Sequence, residues 1–267
     1  MATILDKIYA DKKQELEDTR RTRPLGEVVQ RARDREGIRD IVPALKASPP
    51  TRIIAEIKRR SPFKGELRPD FDPIAIASEY ATHGAAALSI LTESQHFGGS
   101  LDYLEQVRSE VDIPLLRKDF IFTEYQVHES RAFGADFFLL IATWLDKNHL
   151  ADLLALGREI GLPALVETHN EADLEKAFAA GATLLGINNR DLTSGKTDLA
   201  ISHRLMAMAR SVPGTLLVSE SGIHSRKEID ALEELGSNAF LIGESLMTSQ
   251  DIPGKLRELL GTPHPKI

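Results

Sequence analysis

The chain has 267 residues, of which 42% are hydrophobic and 27% charged, a globular profile rather than a disordered one. Its formal net charge is -7 and no Lys/Arg-rich block stands out, so general nucleic-acid binding is not expected and an anionic ligand must be held by local positive groups. It has no cysteine, which excludes disulfides, thiolate metal sites and a cysteine nucleophile.

No stretch approaches the ~18 apolar residues of a membrane span, and the first residues have no run apolar enough for a signal peptide. The expectation is a soluble cytoplasmic protein with no membrane contact. Residues 2 to 47 read as helical. Ile4, Ile8 and Leu16 keep helical spacing, then Leu25, Val28, Val29 and Ala32 repeat the pattern after Pro24, and 40–46 makes a short third piece. Ser48-Pro49-Pro50 ends it, since proline removes a donor and blocks continuation. Residues 1–50 are therefore expected to form a helical extension capping one end of the fold, with the main domain over 51–267.

From Arg52 onward, apolar β-like runs alternate with amphipathic helical runs. Strands are expected at 53–58, 86–91, 114–120, 137–143, 164–168, 184–190, 216–221 and 239–243. Helices are expected at 73–82, 102–110, 124–133, 147–160, 171–180, 200–210 and 226–235, with a last one at 252–260. Gly84, Gly134, Gly161, Gly181 and Gly236 fall where left-handed C-caps are needed. One strand and one helix per repeat marks α/β architecture with parallel strands, and eight repeats point to a (β/α)8 TIM barrel. A doubly wound sheet is the alternative, weakened by the even count and by the lack of a GxGxxG after the first strand.

Charges interrupt these strands in phase. Alternate side chains of a strand face opposite ways. Ile54, Glu56 and Lys58 share one face of the first strand, and Leu116, Lys118 and Phe120 share one face of the third. Leu165 pairs with Glu167 in the fifth, Gly186 with Asn188 and Arg190 in the sixth, and Leu216 and Val218 with Glu220 in the seventh. If these faces look into the barrel, Glu56, Lys58, Lys118, Glu167, Asn188, Arg190 and Glu220 converge at the mouth formed by the strands' C-terminal ends. One buried charge is as often structural as functional, but a cluster from five strands points to a site. Arg117 and Asp119 lie on the opposite face and read as a strand–helix salt bridge.

The last two strand ends add Glu220-Ser221-Gly222-Ile223-His224 and Ile242-Gly243-Glu244-Ser245. Glycines there let backbone N–H groups approach an anion, and barrels frequently hold phosphate at these two loops. His224 reads as a loop residue or helix-cap neighbour. His128, His149 and His203 fall in helical runs and are expected at the surface, and no histidine has metal-ligand spacing. The residues alone thus suggest a barrel acting on a phosphorylated small molecule by Lys/Glu acid–base chemistry, with no metal and no cofactor.

The chain resembles indole-3-glycerol-phosphate synthase over nearly its whole length, including the helical extension. The most specific motif is Ile54-Ala55-Glu56-Ile57-Lys58-Arg59-Arg60-Ser61-Pro62. It is joined by Leu116-Arg117-Lys118-Asp119-Phe120, Leu165-Val166-Glu167, Gly186-Ile187-Asn188-Asn189-Arg190-Asp191-Leu192 and Ser219-Glu220-Ser221-Gly222-Ile223. The resemblance implies cyclisation of 1-(2-carboxyphenylamino)-1-deoxyribulose 5-phosphate with loss of CO2 and water. It implies Lys118 as general acid, held and tuned by Glu56. Lys58 binds the substrate carboxylate or assists as an acid in dehydration. Glu167 relays protons, and Asn188 and Glu220 orient hydroxyls and catalytic side chains. Phe120 is implied in the anthranilate pocket and Arg190 in binding. Ser61, Ser221, Gly222, Gly243 and Glu244 are implied in the phosphate site, the last two mainly through backbone. Two positions depart from the family pattern, Phe63 where Ser or Thr is usual and Glu66 where an apolar residue is common. Both lie in the first loop, a mobile cover in such enzymes, which puts loop motion and product release in question rather than the reaction.

Two rival readings have different consequences. A sugar-phosphate isomerase such as phosphoribosylanthranilate isomerase needs an Asp/Cys pair, and there is no cysteine. A catalytically inactive phosphate-binding barrel predicts loss of Lys118, Glu167 or Glu56, and all three are present. A monomer or weak homodimer is expected.

Overall fold

The barrel strands are short and buried almost throughout, Ile53–Ile57 being typical. Parallel strands covered by helices on one side and packed side chains on the other read in this way. The computed structural model describes residues 4–46, 51–191 and 193–262. The proposed breaker Ser48-Pro49-Pro50, residues 2, 3 and 47, and Leu192 of the sixth-strand motif lie outside them.

Eight parallel strands close into a barrel: Ile53–Ile57, Ala87–Leu91, Leu115–Lys118, Phe137–Ile141, Ala164–Thr168, Leu184–Asn188, Leu216–Glu220 and Ala239–Ile242. The first strand pairs with both the second and the eighth, so no sheet edge is left open. The alternation expected from the sequence holds. Ile54, Leu116, Leu165, Leu216, Val218 and Leu241 pack together inside the barrel. Ile53, Ala55, Ile57, Leu140, Ile187 and Phe240 face the surrounding helices. Each fully buried aliphatic side chain contributes ~1.5–3 kcal/mol, so a one-residue slip of any strand would reverse a large favourable term.

The helices begin at defined caps. Asp72 accepts from the N–H groups of Ile74 and Ala75 with Pro73 at the first helical position, and Ser225 and Glu228 form a reciprocal capping box. The predicted C-cap glycines Gly84, Gly134, Gly161, Gly181 and Gly236 all have positive φ, between 71° and 99°.

The N-terminal segment forms three helices, Ile4–Thr22, Leu25–Asp34 and Ile41–Lys46. Ile8 of the first and Ile41 and Leu45 of the third join the interior cluster, while Val28 and Ala32 pack among the outer helices. Arg39 donates its backbone N–H to Asp136 Oδ1 at 2.7 Å and its guanidinium to Val111 O at 2.6 Å, both just before barrel strands begin. The segment thus reaches both ends of the barrel.

The third strand stops at Lys118 and the sixth at Asn188, each earlier than the sequence pattern predicted. Asp119 Oδ1 accepts the N–H of Phe120 at 2.8 Å, and Asn188 Oδ1 accepts that of Arg190 at 3.0 Å. These short-range bonds compete with the ladder and turn the chain. Phe120 and Arg190 therefore lie in loops rather than strands. The fourth strand likewise ends at Ile141, followed by a 3-10 turn, Ala142–Trp144. The pattern did not foresee the ribbon of Arg60–Ser61 with Gly65–Glu66 in the first loop, or the short helix Glu244–Met247 after the eighth strand.

Candidate active site

Lys118 ends the third strand with its ammonium inside the barrel mouth. Its Nζ donates to Glu167 Oε2 at 2.6 Å and to Glu220 Oε2 at 2.9 Å. The two carboxylates come from the fifth and seventh strands, so the triad exists only because the barrel closes. Burial disfavours the charged lysine, but Glu167, Glu220 and, less directly, Glu56 outweigh it and raise its pKa. The carboxylates respond in opposite directions. Burial raises Glu167, but Lys118 and His169 overcome it and hold its carboxyl well below the ordinary value. Glu220 is pushed up to about 7, by burial first and by Glu167 next, against the pull of Lys118. One ammonium cannot keep two buried carboxylates equally ionised.

Small residues make room for these groups. A Cβ on Gly186 would collide with Glu220 Oε1, and one on Gly243 would collide with Glu56 Oε2. Glu220 Oε1 is buried beside Gly186 and has no hydrogen-bond partner.

The Glu56 carboxylate pairs with Lys58, two residues along the same face, and acts on Lys118 through its charge, which helps raise the lysine pKa. Lys58 and Lys118 thus enter the mouth with separate carboxylate partners.

The apolar wall is aromatic. Phe120 stacks on Trp144 with centroids 4.6 Å apart, and Phe97 lies 6.1 Å away. Tyr9 of the first helix meets Trp144 edge-on at 5.8 Å. Offset and edge contacts of this kind are favourable geometries that also suit a planar aromatic ligand.

Opposite this wall are the turns after the seventh and eighth strands. Ser221 has φ 66°, the one left-handed non-glycine backbone among the described residues, and Gly222 follows at 76°. Asn189 holds the turn: its Nδ2 donates to Glu220 O at 2.9 Å and Ser221 O at 3.2 Å, and its Oδ1 accepts from Ser202 N at 3.0 Å. After the eighth strand, Gly243 precedes the helix Glu244–Met247, whose first N–H groups have no partner within the helix. The Glu244 side chain turns to cations: it receives Lys64 and also Arg190 Nη2 at 3.2 Å. Arg190 also donates to Gly195 O at 2.7 Å, fastening the loop after the sixth strand.

Glu56, Lys58, Ser61, Lys118, Phe120, Glu167, Asn188, Arg190, Glu220, Ser221, Gly222, Gly243 and Glu244 all line this one cavity. Arg117 and Asp119 take the other role expected of them, as a salt bridge toward the helices: Arg117 Nη2 is 2.9 Å from Glu129 Oε2 and 3.1 Å from Asp119 Oδ2. His224 is a cap neighbour, its N–H donating to Glu228 Oε2 at 2.6 Å. His203 is exposed, but His128 and His149 are half-buried, because both lie on helix flanks that pack against neighbours.

Sequence reasoning missed Ile4, Leu5 and Ile8, which line the cavity from the first helix. Nothing in their spacing separates a mouth-facing helix from an ordinary packed one. It also missed His169, which continues the alternation of Leu165 and Glu167 and was within reach of the same parity rule.

A family model described as indole-3-glycerol phosphate synthase matches residues 5–259. The chain belongs to the indole-3-glycerol phosphate synthase family. Membership makes it a carboxy-lyase of tryptophan biosynthesis. The indole-3-glycerol phosphate synthase of Roseiflexus sp. (strain RS-1) is 47% identical, covering 98% of this chain and 99% of the relative. That of Dehalococcoides mccartyi is 45% identical, covering 96% and 100%. Among solved structures, a 3-hexulose-6-phosphate synthase superposes with TM-score 0.64 at 13% identity, over 79% of this chain and 99% of the other. Thiamine phosphate pyrophosphorylase from Pyrococcus furiosus gives 0.60 at 16% identity, over 78% and 93%. At such identities these two neighbours speak to the barrel fold alone. Among the described residues, no helix is long and apolar enough to cross a membrane.

Proposed function

We propose that the chain closes the indole ring of indole-3-glycerol phosphate from 1-(2-carboxyphenylamino)-1-deoxyribulose 5-phosphate, with Lys118 as the general acid. The observation that carries this reading is the Lys118 ammonium shared between a strongly ionised Glu167 and a Glu220 that titrates near 7. An acid is needed first. The ring carbon bearing the carboxylate attacks the C2 carbonyl carbon, and Lys118 protonates the carbonyl oxygen as it becomes a hydroxyl. Loss of CO2 then returns the bonding electrons to the ring. In the last step Lys58 or Lys118 protonates the hydroxyl, the ring nitrogen's electron pair expels it as water, and Glu167 takes a proton from C1 as the carbon–carbon double bond of the indole forms. The reaction sequence consumes one proton overall, which solvent returns to the lysine that gave it.

Phe120, with Trp144 behind it, supports the anthranilate ring. Lys58 meets the substrate carboxylate, with Glu56 as its resting partner. Asn188 and Glu220 orient the sugar hydroxyls. The phosphate lies between the Ser221–Gly222 turn and the backbone of Gly243 and Glu244, with Ser61 and Arg190 at the rim. The division into a helical extension, residues 1–50, and a catalytic barrel, 51–267, belongs to the same proposal, supported by apolar residues of the first helix at the cavity edge. So do a cytoplasmic location and a monomer or weak homodimer.

The test is a fluorescence assay for indole-3-glycerol phosphate in wild type and Lys118→Ala. Turnover that falls by ~10²-fold or more in the variant supports the reading. A folded wild type without turnover overturns the reaction, and turnover that survives the substitution overturns the acid.

A further inference from the structure

We infer that His169 is a positioning residue for the acid–base pair, an imidazolium that keeps Glu167 ionised while Lys118 moves its proton. The inference rests on the reading of Lys118 and Glu167 just given.

The geometry supplies the protonation state. His169 Nε2 is shut off from solvent and stands 3.2 Å from Glu167 Oε1, the oxygen that Lys118 does not use. Nε2 makes no directed hydrogen bond, so a proton there is held by the charge of Glu167 alone. On the other side of the ring, Nδ1 lies 3.3 Å from Thr143 Oγ1. Thr143 has one hydroxyl hydrogen, and it goes to Asp173 Oδ2 at 2.6 Å. Toward Nδ1 the hydroxyl can therefore only accept. An ionised Glu167 can only accept as well. Nδ1 therefore carries hydrogen toward Thr143 Oγ1, and a second hydrogen on Nε2 is what the adjacent Glu167 carboxylate favours.

The charged surroundings agree. Glu167 faces the ring from the fifth strand, Asp173 from the following helix, its Oδ2 3.9 Å from Nδ1, and Glu220 acts from across the barrel. The nearby cations are already engaged, Lys118 on the other oxygen of Glu167 and Lys176 on Asp173 at 3.7 Å. Burial opposes the imidazolium, but Glu167, Asp173 and Glu220 outweigh it and raise its pKa.

The catalytic consequence follows from charge balance. When Lys118 gives its proton to the substrate, Glu167 is left buried without its main cation. A buried carboxylate so placed draws a proton and ceases to be a base. The His169 imidazolium, 3.2 Å away, holds it ionised through that interval.

The test combines nitrogen-15 spectra of the histidines with turnover of wild type, His169→Leu, His169→Gln and Thr143→Val. The wild-type ring should show both nitrogens protonated at about pH 7 and titrate above the ordinary histidine value of about 6.5. Thr143→Val should lower that titration. His169→Leu should lower kcat about tenfold or more with KM within about twofold, and His169→Gln, which keeps a donor but no charge, should recover only part of it. A neutral ring at about pH 7 overturns the inference, as does a folded His169→Leu with wild-type kcat. If that variant does not fold, the wild-type spectrum decides. A wild type without turnover overturns the proposed reaction and leaves the spectrum to judge the imidazolium.

Discussion

Lys12, on the first helix, sets its Nζ 2.9 Å from Oδ1 of Asp119, the residue after Lys118. Both side chains are buried, and Asp119 is also bonded by Thr92 Oγ1 at 2.6 Å. The helical segment is thus fastened to the back of the catalytic strand by a desolvated ion pair. Lys12→Met should lower stability by about 3 kcal/mol, because Asp119 loses one of its two cations while staying buried. A urea midpoint unchanged from wild type would contradict this.

The same pair gives an acid dependence. Burial raises the Asp119 carboxyl, but Lys12 and Arg117 pull it below its ordinary range. A depressed folded pKa contributes stability above the unfolded value, about pH 4, and loses it as pH falls further. Asp119→Asn should therefore flatten the stability curve below about pH 4 relative to wild type, read by denaturant titration at stepped pH.

Glu220 has the opposite sign. Its folded pKa, about 7, lies above the ordinary carboxyl value. Its stability contribution is complete below the unfolded pKa and is lost as pH rises through about 7. Glu220→Gln should gain on wild type by up to about 3 kcal/mol between about pH 5 and pH 8 while losing activity. Parallel stability curves for the two proteins would show that Glu220 titrates normally.

Phe63 is 43% exposed, yet its ring lies over Gly195 in the loop after the sixth strand, where φ is 72° and an added Cβ would come 2.5 Å from Phe63 Cγ. The first loop therefore rests on the sixth. Phe63→Ala should leave stability within about 0.5 kcal/mol. It should change KM and kcat together by several-fold, since it frees a cover over the mouth. Steady-state kinetics with unaltered values would detach Phe63 from loop motion.

Asn189 is fully buried and holds the left-handed Ser221. A non-glycine residue in that region costs about 1–2 kcal/mol. Asn189→Ala should relax the turn, destabilise by about 2 kcal/mol and raise KM, because the substrate phosphate loses its fixed backbone donors. Stability loss at constant KM would argue against phosphate binding at Ser221–Gly222.

The site was legible where a local rule governs it. Strand alternation has a period of two, and the barrel interior was required to take one face of every strand. That placed Glu56, Lys118, Glu167, Asn188 and Glu220 together before any coordinates, and the C-cap glycines followed from short-range backbone chemistry. What the period did not reach is where strands end. Asp119 and Asn188 side chains bond the backbone just beyond them and bend Phe120 and Arg190 into loops.

Partner choice lay beyond the sequence altogether. Alternation says that Lys118 points inward, but the stagger of non-adjacent strands decides which carboxylates it meets. The closed barrel brings it Glu167 and Glu220 and leaves Glu56 to Lys58. It also lays Lys12 on Asp119 across 107 residues of chain and turns His169 onto the free oxygen of Glu167. Side-chain direction is set residue by residue, so the sequence determines it. Distance between charges from separate strands is set by closure and shear, which only the folded barrel fixes.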